Sequence, residues 1–416
     1  MVVVAAVVVA AAAAAVGADR PSMTLSTGSP VTTGDPVRVS RLDGGLRVVT
    51  ETTPAARSVA IGVWVGVGNR DEPAEIAGVS HFLEHLLFKG SSTRSARDIA
   101  EGIDAVGGDL NAFTSKEYTT FHARVPAAEL DFGLDTLLDV VADPGFTDAE
   151  VDAERQVILE ELAWSADTPD DLVHTLLSES LFPGHPLGWE VLGSVDSVRS
   201  VRADDIRGFH DEWYRRSNIV VAVAGAIDHD ALVDRIDRAL ASRPAGGAPR
   251  RAAPGAGVHP GTRAVRPLEQ SHVALGWRAP DHRDPDRHAL AVANQLLGGG
   301  WSSRLFQEIR ERRGMSYSVF SSVGSYADAG SMTIYAGVSP ERVDDLIGIV
   351  DGILDELAVD GPGERELDVA RGGFEGATIL GLEDAGTRMV RLGSNLLVRD
   401  RVVPVDEYLA RVRSVT

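Results

Sequence analysis

The chain has 416 residues, 44% of them apolar, no cysteine and a formal net charge of −21. That length is too great for one compact core and points to two domains of about 200 residues each. Disulfide and thiol chemistry are excluded, and nucleic acid is a poor partner because phosphate neutralisation needs a basic surface; an acidic chain attracts basic peptides instead.

In chain order, an Ala/Val run from Met1 to Val16 comes first. It has the length of a signal-peptide apolar region but no preceding Lys or Arg, and it is short for a bilayer span. We therefore expect residues 1–37 to be an extension outside the fold, disordered or lying before a true start near Met23. That reading places the protein in the cytoplasm, free of the membrane, with export through the run as the alternative.

A strand (Ser58 to Val67), a buried helix (Val79 to Phe88), a second helix (Ala96 to Val106), a strand pair (Gly108 to Val125) and a helix from Ala127 follow. The buried helix carries His81-Phe82-Leu83-Glu84-His85. Positions i and i+4 lie one turn apart on one side, so both imidazoles can grip a single metal ion, with Glu84 placed to handle a metal-associated water. Phe82, Leu83, Leu86, Leu87 and Phe88 make the segment apolar nearly all round. Two imidazoles and a carboxylate in such a helix are costly unless something pairs them. Neutral imidazole suits Zn²⁺, but a catalytic zinc site needs a third protein ligand.

Gly107-Gly108 is a turn signal that enters the alternating segment Asp109 to Thr114. An exposed strand there could accept an extended peptide by backbone pairing; an ordinary hairpin strand is the other reading. Asp148 to Trp164 reads as a helix, capped by Thr147 with Glu150 three residues later. Glu154 and Glu161 share one face of it, and Glu160 points about 100° away. Whether that face holds a ligand or is simply solvated remains open from spacing alone.

Residues 242–270, rich in Pro, Gly, Ala and Arg, read as a linker between a first domain (38–241) and a second (271–416). Beyond the linker the pattern repeats: strand (His272 to Trp277), helices (Arg287 to Leu297, Arg304 to Arg312), strand pair (Met315 to Val338) and a helix from Pro340. Such duplication implies two tandem copies of one α+β fold, each a mainly antiparallel sheet covered by helices. The second copy has only His288 opposite the histidine pair, so it is expected to be catalytically silent. Gly298-Gly299-Gly300-Trp301-Ser302-Ser303 lacks the Lys of a nucleotide loop and reads as a hinge or gate. Arg310 looks like one of several helix-surface arginines.

The segments HFLEHLLFKG, GGDLNAFTSKEYTTFHARV and ERQVILEEL together resemble the pitrilysin/insulinase zinc peptidases, whose H-x-x-E-H order is the inverzincin signature. The resemblance runs from about Arg38 onwards and is nearest to the processing-peptidase branch. It implies a metalloendopeptidase with one Zn²⁺ per chain held by His81, His85 and Glu161, which lies 76 residues after His85. It further implies Glu84 as general base, Glu154 as a residue orienting a ligand, and Asn111, Ala112 and Phe113 on a substrate-binding edge strand. Arg310 and Tyr317, seven residues apart, match a family pair that stabilises the oxyanion; in dimeric relatives it acts across a closed clam-shell chamber on the partner's site. A homodimer acting on peptides or unfolded polypeptides, basic ones included, is the expectation. Some relatives are non-catalytic structural or substrate-recognition subunits, but that role predicts a damaged ligand set, and here it is intact. The chain stops near Thr416, where relatives usually continue through a further strand and helix, which suggests a shortened second domain.

Overall fold

A computed structural model describes residues 2–8 and 36–416. Two sheets organise the chain. The first contains β2 (Val37–Arg41), β3 (Arg47–Thr52), β4 (Ser58–Val65), β5 (Asp109–Thr114), β6 (Thr119–Pro126) and β7 (Ile219–Gly225) in the order β2-β3-β7-β4-β6-β5. The second contains β1 (Val2–Val8), β8 (Gly261–Arg266), β9 (Ser271–Ala279), β10 (Val319–Ser325) and β11 (Gly330–Val338) in the order β10-β11-β9-β1-β8. Neighbours run antiparallel except β3 with β7 and β1 with β9. The order β4-β6-β5 in one sheet recurs as β9-β11-β10 in the other, so the duplication in sequence is a duplication of strand topology.

Composition explains which strands are central. β4 and β7 are almost entirely Val, Ile, Ala and Gly, and both are buried nearly throughout, as strands covered on two faces must be. β5 alternates between exposed and half-buried residues and pairs only with β6, which makes it an edge.

Two expectations are corrected. Val2–Val8 of the Ala/Val run forms β1, paired to β8 and β9, rather than lying outside the fold; residues 9–35 lie outside the described residues. The segment expected to be a structureless linker contains β8, whose Thr-Arg-Ala-Val alternation was masked by the Pro/Gly-rich stretch before it. In addition, the helix expected at Arg304 to Arg312 is a π-helix over Phe306–Arg312.

The two halves exchange helices. Helix Pro169–Leu181, from the first half, lays Val173, Leu177 and Leu181 against Ala274 and Tyr335 of the second sheet. Helix Ala385–Arg399, from the second half, lays Met389, Leu392 and Leu396 against Val49, Ala60, Trp64 and Val220 of the first. A buried ionic knot joins them further. Arg70 bonds Glu117 at 2.5 Å and Asp328 at 2.7 Å, while Arg251 holds Asp71 at 2.8 Å. Removing one partner of a buried pair leaves an uncompensated charge, so this knot resists separation of the halves.

The exchanged helix sits so close to the first sheet that only glycine fits at its crossing. A Cβ on Gly393 would lie 2.1 Å from Nε1 of the fully buried Trp64. Alanine gains about 0.5–1 kcal/mol of helix propensity but costs about 1–3 kcal/mol by overpacking against a rigid indole. Gly393→Ala is therefore expected to lower the unfolding temperature, and an unchanged or raised midpoint would show that the crossing is loose.

Candidate metal centre

Helix Val79–Leu87 is too apolar to be exposed: Val79, Phe82, Leu83, Leu86 and Leu87 are all at most 1% accessible. Its other face therefore carries the histidines toward helix Asp148–Asp167, which begins with the expected Thr147–Glu150 capping box. Glu161 projects from that helix between the two imidazoles. Its Oε2 lies 3.7 Å from Nε2 of His81 and 3.8 Å from Nε2 of His85. These gaps are too long for hydrogen bonds. They come near the roughly 3.4 Å separation expected of N and O donors placed tetrahedrally around one zinc. The cluster His81, His85 and Glu161 is the sole one of its kind among the described residues, with donor atoms within 4.8 Å of one another. His288, by contrast, belongs to no such cluster among the described residues.

The surroundings prepare the imidazoles for a cation. Burial, reinforced by the neighbouring His85, pushes the His81 pKa down to about 3, so its ring is neutral and its nitrogen lone pair is available. Nδ1 of His85 donates to Oε1 of Glu154 at 2.7 Å, which turns Nε2 toward Glu161. Glu154 is itself held by Lys89 at 2.6 Å. Burial works against its ionisation, but the bonds from Lys89 and His85 outweigh burial and keep its carboxyl below the ordinary range. Glu160 is exposed and takes no part.

Glu84 faces the same cavity, of about 360 Å³, together with His81, Ala112, Phe113, Thr114 and Glu161. The Thr114 hydroxyl donates to Oε2 of Glu84 at 2.5 Å, and burial raises the Glu84 pKa despite that bond. The edge strand β5 thus runs along the rim. The Ala112 N–H is not spent on β6: it donates to Oδ1 of Asn111 at 2.8 Å, so it points to the open edge.

Arg310 and Tyr317 are brought together but not to this cavity, whose lining includes neither. Nη1 of Arg310 donates to the Tyr317 carbonyl at 3.0 Å, its guanidinium lies 4.4 Å from the Tyr317 ring, and the ring itself is 82% exposed.

Sequence reasoning missed two supports. Glu72 accepts hydrogen bonds from Gly78 N at 2.6 Å and Ser80 N at 2.7 Å, capping a helix whose N-cap Gly78 has no side chain. Burial pushes its pKa up to about 7 even against those two donors. The absence of a Ser, Thr, Asp or Asn cap before Val79 was the available signal, since orphan N–H groups must find an acceptor. Thr114 gave no comparable signal.

The model of the insulinase family of peptidases, M16, matches residues 47–195, and that described as the M16 inactive domain matches residues 200–374. A protein named as an uncharacterized zinc protease of Mycobacterium tuberculosis is 44% identical over 384 residues, spanning 91% of this chain and 88% of its own length. The protein named as the uncharacterized zinc protease YmxG of Bacillus subtilis is 38% identical over 372 residues, 89% of this chain and 90% of its own. Among solved structures, a protease from Helicobacter pylori has a similar fold, with a TM-score of 0.83 at 23% identity over 91% of this chain and 94% of its own. Among the described residues no helix is long and apolar enough to cross a membrane.

Glu154→Gln keeps the shape of the side chain but removes the charge behind His85. Competition against a chromophoric chelator should show zinc affinity about 10-fold lower, with unchanged helical content; unaltered affinity would mean the bond to His85 does not orient a ligand.

Proposed function

Because the chain belongs to the M16 insulinase peptidase family, we propose that it is a zinc-dependent endopeptidase acting on extended peptides. One observation carries this reading: His81 and Glu161, clustered with His85, line the same cavity as Glu84 and residues of the edge strand β5. Zinc, when bound, polarises the scissile carbonyl and lowers the pKa of water to about 7. Glu84 takes a proton from the attacking water and returns it to the departing amine. Its elevated pKa suits both transfers, and the Thr114 hydroxyl keeps the carboxylate aimed at the cavity. Ala112 offers its outward N–H to a substrate carbonyl, so the peptide lies extended along β5 without any requirement for one side chain. Asp171 and Glu190 also line the cavity and favour a basic residue near the scissile bond.

In the same reading, two chains close a chamber that admits peptides or unfolded chains and excludes folded proteins. Arg310 and Tyr317 then serve the partner's site, where the exposed Tyr317 offers its hydroxyl to an oxyanion and Arg310 supplies positive charge beside it. The second half contributes binding surface rather than chemistry, and the protein works in the cytoplasm in a precursor-processing or peptide-clearing role.

Glu84→Gln decides between this enzyme and a non-catalytic subunit of the same fold. With a quenched peptide library, we expect wild-type cleavage that a chelator abolishes and one zinc per chain in both proteins. The variant should lose about 10²–10⁴-fold in kcat. Wild type that is fully loaded yet inert would favour the scaffold role. A second measurement addresses the edge strand. Ala112→Pro deletes the outward N–H together with its bond to Asn111, a change that edge strands tolerate, and should reduce kcat/KM roughly 2–10-fold with the unfolding midpoint intact. Undiminished kcat/KM would place the substrate elsewhere.

A further inference from the structure

Helices Arg287–Gly298, Glu364–Gly381, Ala385–Arg399 and Val405–Arg413 of the second half enclose a cavity of about 280 Å³ that plays no part in the proposed chemistry. Three guanidiniums line it, those of Arg287, Arg391 and Arg399. In a chain carrying a net charge of −21, carboxylates to neutralise them are abundant, yet they are not placed here. Among the described residues neither Arg287 nor Arg399 forms an ion pair: Nη1 of Arg287 donates to the Asp284 carbonyl and Nη1 of Arg399 to Oδ1 of Asn395. Arg391 must share Glu51 with Arg388. Glu407, also nearby, is already claimed by Arg401 and Arg411.

The cations are consequently in conflict. Burial, then the neighbouring Arg399 and Arg411, lowers the Arg287 pKa, whereas Arg399 is exposed. A further signal is independent of charge. His288 is only 8% accessible and lines this cavity, and its Nε2 is buried without a hydrogen-bond partner, as is Nε of Arg391. Buried polar atoms are ordinarily satisfied, so these two are open to a ligand atom. The remaining wall is mostly apolar, with Leu382, Val403, Val405 and the ring of Tyr408 beside Thr378, Thr387 and Asn395.

We propose that this cavity binds a small organic carboxylate, its head held by Arg287 and Arg399 with His288 beside it and its short apolar body against Leu382 and Tyr408. Forked guanidiniums match a carboxylate, and apolar walls exclude a bare inorganic ion as the best occupant. Helix Ala385–Arg399 presents Arg391 and Arg399 to the cavity while Met389, Leu392 and Leu396 hold the first sheet. Occupancy thereby braces the exchanged helix and raises the stability of the whole chain.

The head could belong to a free short-chain acid or to the C-terminus of a peptide, and the test separates them. The full chain is titrated with hexanoate, 1-hexanol, inorganic phosphate, N-acetyl-leucine and N-acetyl-leucine amide, read by calorimetry and unfolding temperature. Peptide cleavage is not the readout, so the result is independent of the peptidase reading. Hexanoate should bind and raise the midpoint, while hexanol and phosphate should not. Acetyl-leucine binding more tightly than hexanoate, with its amide silent, would identify a peptide C-terminus; the reverse order would identify a free acid. Arg287→Gln and Arg399→Gln should each weaken binding at least about tenfold. Their unliganded midpoints should be equal to or above wild type, because each substitution relieves repulsion. The proposal is overturned if no carboxylate binds the wild type, if phosphate or hexanol binds as well as hexanoate, or if both variants bind normally. Lower unliganded midpoints with binding retained would instead make these arginines structural.

Discussion

Two imidazoles and a carboxylate converging to within 4.8 Å of one another between two packed helices is an arrangement that ordinary folding disfavours. Each group loses hydration, and the unbound cluster has no internal hydrogen bond to offset that loss. The protein sustains it by fixing the surroundings instead. His81 is kept neutral by burial, His85 is oriented by Glu154, and Glu154 is neutralised by Lys89. The unfavourable cluster is thus the one place where a divalent cation gains most. Helix Val79–Leu87 can carry it because the rest of its surface is buried among apolar side chains and its N-terminus is anchored by Glu72.

The cavity beside that cluster depends on how sheet and helix meet. β5 is the outermost strand of its sheet, and Thr114 at its end reaches Glu84. One short strand therefore supplies both the open backbone edge and the hydroxyl that aims the general base. Electrostatics at the rim are acidic, through Asp171 and Glu190, which agrees with the charge of the chain as a whole.

Larger geometry follows from the exchange of helices between the duplicated halves. Each half covers part of the other's sheet, so neither is an independent body, and the Arg70–Glu117–Asp328 knot reinforces the union. The second copy, which lacks the histidine pair, shares the strand topology but differs in character. Where the first half concentrates acidic and imidazole donors, the second concentrates arginines around an apolar cavity.

Local periodicity determined a great deal by itself. The histidine pair, its apolar flanks, the capping box at Thr147, the Ala96–Val106 helix and the repeated strand–helix order are all short-range patterns, and each stands in the fold as written. Glu161 was legible through its family spacing, because one helix alone could not distinguish a ligand from a solvated face. Only the tertiary structure decided which donors meet. It placed Glu161 in the cluster and Glu154 behind His85, brought Thr114 and Glu72 to the His helix, and left Arg310 and Tyr317 stacked on each other away from the cavity. It also turned Val2–Val8 of the Ala/Val run into a strand and found β8 within the expected linker. The reason is physical: periodicity reports which face of an element is apolar, whereas ligand sets, caps and exchanged helices depend on distances between elements far apart along the chain.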